Sequence, residues 1–101
     1  MDQHTAVELV GGLASRVNNL AVASQGADSR TLLAQQDELA NQALALIARE
    51  LNADTADFQA AVVALQAATA AADQAARQLQ QVGRTIDLAA KAISAVAKLL
   101  A

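Results

Sequence analysis

FQAAVVALQAATAAADQAARQLQQVGRTIDLAAKAISAVAKLL, residues 58–100, is the stretch on which the fold turns. Taken every fourth and third residue in alternation, it yields Phe58, Val62, Leu65, Thr69, Ala72, Ala76, Leu79, Gly83, Ile86, Ala90, Ile93, Ala97 and Leu100. A repeat of this period keeps one helix face in line only when that face packs along a second helix. Placing Phe58 at d, the large residues Leu65, Leu79, Ile86, Ile93 and Leu100 alternate with small ones. Ala61, Ala68, Ala75, Val82, Ala89 and Val96 widen the apolar face beyond what one neighbour covers.

The remaining composition fits this reading. Of 101 residues, 28 are Ala and 14 Leu, against one Phe and no Trp, Tyr, Pro or Cys, so strong helix formers dominate and the class is all-α. The length suits one modest core, hence a single helical domain over residues 1–101. Without Pro, only Gly11, Gly12, Gly26 and Gly83 punctuate the backbone.

Thr5 and Glu8 have the spacing of a capping box, which starts a first helix over about residues 6–25. Its apolar stripe is Val10, Leu13, Val17 and Leu20, flanked by Ala14 and Ala21. Gly11 and Gly12, within it, mark a kink or a close neighbour. Gly26 suits a left-handed helix end, and Asp28 or Ser29 the next start. A second helix follows over about 30–51, burying Leu32, Leu33, Leu39, Ala43, Leu46, Ile47 and Leu51 and wetting Gln35, Glu38, Gln42 and Arg49. Asn52, Ala53 and Asp54 form the next turn, with Asp54 or Thr55 as cap. Short connections make successive helices antiparallel neighbours.

The third helix is expected to run over about 55–100, because the heptad phase passes Gly83 unchanged, and Gly83 would be its point of kinking. The architecture predicted is an antiparallel three-helix bundle with a long third helix; the alternative is a four-helix bundle broken at Gly83. A continuous helix would be ~70 Å long at 1.5 Å per residue, leaving its far half for another molecule to cover.

Chemistry-bearing patterns are sparse. His4 is the sole histidine and lies near the terminus, and no Glu-x-x-His pair exists. Glu8, Glu38 and Glu50 are not spaced for a di-metal site, Asp37 and Glu38 point to different faces, and Asp54 with Asp57 reads as capping. Ser15, Ser24, Ser29 and Ser94 have no histidine base placed beside them, and the glycines form no phosphate-cradling loop. The expectation is a protein that is not an enzyme and carries no cofactor or metal. A formal charge of −3 speaks against nucleic acid.

Arg77, Arg84, Lys91 and Lys98 follow one another at intervals of seven and form a basic stripe along one line. Asp73 precedes Arg77 by four residues and Asp87 precedes Lys91 by four, the orientation that favours pairing along a helix. The function expected is helical interaction through helix packing, with an interface of Phe58, Leu65, Leu79, Ile86, Ile93, Val96 and Leu100. The partner is a second copy, as a dimer, or another helical protein, in an adaptor, assembly or secretion-associated role. The alternative is a membrane-active protein that lays its C-terminal helix into a lipid interface, basic stripe outward. Residues 1–25 lack the pattern of a cleaved signal, so cytoplasmic residence is the default expectation, with signal-less secretion beside it.

Overall fold

The computed structural model describes residues 3–49, 51 and 55–101; Glu50 and the residues of the expected second connection, Asn52, Ala53 and Asp54, lie outside them. The described residues form four α-helices: α1 Gln3–Ala23, α2 Gly26–Ile47, α3 Ala56–Arg77 and α4 Val82–Leu100, with a 3-10 turn Leu79–Gln81 between the last two. The three-helix expectation is therefore corrected in helix count. The alternative of four helices holds, but the break falls at Gln78 and not at Gly83.

Gln78 adopts an extended conformation (φ −139°, ψ 97°), and its carbonyl accepts the Gln81 amide at 2.9 Å, which closes the turn into α4. Gly83 lies inside the first turn of α4 with open space where a Cβ would stand. The physical reason for the break is burial. A continuous helix of ~70 Å would stand far outside a molecule whose longest dimension is 38 Å. Folding back instead buries Val82, Ala89, Ala92, Ile93 and Val96. The few backbone hydrogen bonds lost are worth about 1 kcal/mol each, against about 1.5–3 kcal/mol for each large aliphatic side chain buried. The heptad phase survives the break while the buried face rotates: in α4 the ladder members Gly83, Ala90 and Ala97 are exposed, and Val82, Ala89 and Val96 face inward.

The helix starts follow local chemistry. The Thr55 hydroxyl accepts the Phe58 amide at 3.2 Å and caps α3. Gly26 has φ +64°, the left-handed value a glycine permits, although α2 already begins there. Ser29 closes α1 instead of starting α2, donating from Oγ to the Ala21 carbonyl at 2.8 Å. Helix α1 begins ahead of the Thr5 capping box and runs unbroken through Gly11 and Gly12, where a Cβ at Gly12 would meet only the Arg16 guanidinium of the same helix, at 3.2 Å.

Helix α1 packs on α2 and α3, and α4 packs on α3 and α2. Gln35 donates to the Ile86 carbonyl and Gln42 to the Ile93 carbonyl, both at 2.9 Å, and Arg49 donates to that of Leu100. This constant offset means that α2 and α4 run parallel. Because α1/α2 and α3/α4 are each antiparallel hairpins, α1 and α3 also run in one direction, and the Arg16–Asp73 ion pair at 2.8 Å joins them. Two antiparallel hairpins, α1/α2 and α3/α4, are thus stacked in parallel, and α2 and α3 lie diagonally, not side by side as expected for successive helices. The buried positions Leu32, Gln35, Leu39 and Leu46 of α2 recur fifty residues later as Val82, Thr85, Ala89 and Val96 of α4.

Val10, Leu13, Val17 and Leu20 line the core as their spacing predicts, with Leu32, Leu39, Leu46, Phe58 and Leu65. Two expectations for α2 are overturned. Leu33 and Ile47 are exposed, and Gln35 and Gln42 are not on a wet side: they turn inward and donate to α4. A glutamine stem is long and apolar enough to bury, provided its amide reaches a carbonyl with a spare lone pair.

Candidate functional site

The seven residues expected to form an interface do not share one surface. Phe58, Leu65 and Val96 are closed inside the chain's own core, Ile93 is nearly so, Ile86 and Leu100 are half-buried, and Leu79 is exposed. Contact with a partner through the first four would require the bundle to open.

The basic stripe is divided by the break. Arg77 ends α3, whereas Arg84, Lys91 and Lys98 still follow one line along α4. Asp73 bonds to Arg16 of α1 and not to Arg77. Lys98 meets Asp57 of α3 at 3.6 Å, and among the described residues Arg77, Arg84 and Lys91 make no ion pair, the expected Asp87–Lys91 pair included. Exposure keeps such pairs weak, which is why an inviting spacing along one helix does not enforce them.

Beside this line lies a shallow groove between α3 and α4 of about 470 Å³, lined by Gln59, Ala60, Val63, Ala64, Ala67, Leu88 and Lys91. Its walls are almost wholly apolar, and Val63 is 64 % exposed. On the opposite hairpin α2 carries an apolar row of Leu33, Ala40, Leu44 and Ile47, spaced by seven, four and three residues. Leu33 is 44 %, Leu44 68 % and Ile47 63 % exposed, and Val22 at the end of α1 adds a fourth bare side chain. The sequence reading missed both surfaces. The α2 row was legible in principle, since a second apolar line beside Leu32, Leu39 and Leu46 makes that helix apolar on more of its circumference than a core-facing stripe needs.

His4 and Glu8 approach to 2.9 Å on the exposed side of α1. No cluster of three or more His, Asp or Glu side chains forms among the described residues. No helix among them is long and apolar enough to cross a membrane.

Between α2 and α4 lies a polar seam. The Gln35 and Gln42 Oε1 atoms and the Thr85 hydroxyl are buried without a hydrogen-bond partner, and Thr85 is fully enclosed. A buried hydroxyl without a partner costs stability that valine, of nearly the same shape, does not. Thr85→Val is therefore expected to stabilise the protein by about 1–2 kcal/mol, read as a higher urea midpoint at unchanged slope. A lowered midpoint would mean that the hydroxyl is satisfied.

Comparison of the chain with protein-family models, with curated proteins and with solved structures finds no match.

Proposed function

We infer that this is a non-enzymatic helical interaction protein, acting through helix packing on a second copy of itself or on a helical partner in an adaptor, assembly or secretion-associated role. The observation that carries the reading is the bare apolar row on α2, Leu33, Leu44 and Ile47, with Val22 exposed as well at the end of α1. Aligned aliphatic side chains of this kind are uncommon on a surface that stays wet. In a symmetric dimer only the exposed fractions of these side chains, 44–79 %, are gained, equivalent to about five full side chains and about 8–15 kcal/mol. Association costs ~4–15 kcal/mol, so a micromolar Kd, ~8 kcal/mol, requires a cost at the low end of that range. Self-association no longer rests on an uncovered far half of a long helix; it rests on this row.

The test is molar mass by light scattering over a dilution series. The wild type is expected to be a dimer at micromolar concentration, and Leu44→Asp/Ile47→Asp a monomer with unchanged helix content. A wild-type mass that stays near 10.3 kDa at every concentration would refute self-association.

A second reading, binding to a membrane surface through α4, draws support from α4 being the most strongly amphipathic of the four helices, with Arg84, Lys91 and Lys98 along its flank. It requires the bundle to open, because Ile93 and Val96 are already enclosed.

A further inference from the structure

We propose that the groove between α3 and α4 is a docking site for an acidic amphipathic helix of a partner protein. The inference rests on the helix-packing reading and names the partner's chemistry for a surface separate from the α2 row.

The floor of the groove is Ala60, Ala64 and Ala67 of α3 with Leu88 of α4, and Val63 stands bare on its α3 side. Short side chains on the floor let a third helix approach closely, and two antiparallel helices offer it a trough. The α4 rim is net cationic: Lys91 lines the groove, and Arg84 and Lys98 continue its line at intervals of seven residues, about 10.5 Å apart along the axis, with the exposed Asp87 on the same flank between Arg84 and Lys91. Lys98 is engaged by Asp57 at one end of the trough, whereas Arg84 and Lys91 have no ion-pair partner among the described residues. On the α3 side the lining polar residue is the uncharged Gln59.

An apolar strip bounded on one side by two free cations specifies its complement: a helix with a Leu/Ala face and carboxylates seven residues apart along one flank. Charge on one rim only also sets which flank of the partner faces α4. An anionic membrane would attract the same cations, but a flat lipid surface would cover only the exposed Ala60, Val63 and Ala67 and would reach the half-buried Ala64 and Leu88 less completely than a helix laid between α3 and α4.

The probe is a synthetic amidated helical peptide of about 18 residues, ~27 Å long, with a Leu/Ala face and Glu at every seventh position on one flank. Its control carries Lys in place of Glu. Fluorescence anisotropy with the full chain should give saturable, salt-weakened binding of the Glu peptide and none of the Lys peptide. Arg84→Glu/Lys91→Glu, at two exposed positions, should weaken binding about tenfold or more, and Ala67→Trp, which fills the exposed floor, should abolish it. Thermal melts followed by circular dichroism check that both variants stay folded.

The Leu44→Asp/Ile47→Asp variant should bind the peptide as the wild type does. The proposal is overturned if the Glu peptide does not bind, if both peptides bind alike, or if charge reversal changes nothing. It is also overturned if phosphatidylserine vesicles, and not the peptide, sediment with the wild type and release the charge-reversed variant. Failure here with a mass that still falls on dilution removes only the groove; failure of both removes the helix-packing reading.

Discussion

Phe58→Ala is expected to cost about 3–5 kcal/mol of folding stability, and Leu65→Ala about 2–5 kcal/mol. Both side chains are 1 % exposed, and Phe58 is the largest side chain in an apolar core otherwise built from Leu, Val, Ala and Ile93. Alanine removes little area from water, so the few large residues supply a disproportionate share of the burial term. A domain of this size has a total stability of about 5–15 kcal/mol, and the loss of its one aromatic ring removes about a fifth of that or more. Urea denaturation measures this directly. With slopes of about 1–3 kcal/mol/M for small proteins, the midpoint should fall by a molar or more. Leu79→Ala, at a position 51 % exposed, serves as control and should move it little. An unchanged midpoint for Phe58→Ala would mean that the ring is not enclosed.

The all-helical class and the core face of α1 were legible in the sequence, because Val10, Leu13, Val17 and Leu20 lie on one stripe and their opposite face is polar. For α2 the pattern was ambiguous. Leu32 and Leu33 are adjacent, so are Leu46 and Ile47, and spacing alone does not say which of each pair faces the core; the packing against α4 decides it through Gln35 and Gln42, whose amides reach the Ile86 and Ile93 carbonyls. The break at Gln78 had no local signal. Ala76, Arg77, Gln78, Leu79, Gln80 and Gln81 are all acceptable in a helix, with no Gly or Pro among them. What ends α3 there is non-local: Val82, Ile93 and Val96 find cover on α2 and α3 only if the chain turns back. Attributing the break to Gly83 followed backbone propensity, which here was weaker than burial. The cation line was visible as a heptad of Arg and Lys, but its groove was not, because a trough is made by two helices and Leu88 comes beside Ala67 only after the turn.

The same turn supplies the largest contrast open to measurement. If α3 and α4 formed one helix, residues 57 and 98 would be roughly 60 Å apart at 1.5 Å per residue. In the bundle Asp57 and Lys98 touch at 3.6 Å, and both are exposed. The chain has no cysteine, so Asp57→Cys/Lys98→Cys introduces two unique attachment sites without entering the core. Nitroxide labels on them should report one separation within roughly 20 Å, the spacing of adjacent helix axes plus two label arms. A distribution near 60 Å would restore the continuous third helix and remove the α3/α4 groove with it. A short distance could also arise between chains, if two copies exchanged α4 with each other. Mixing labelled protein with an excess of unlabelled wild type and refolding the two together separates the cases. Exchange would then pair each labelled α3 with an unlabelled α4 and abolish the short distance, whereas a hairpin closed within one chain keeps it at every mixing ratio.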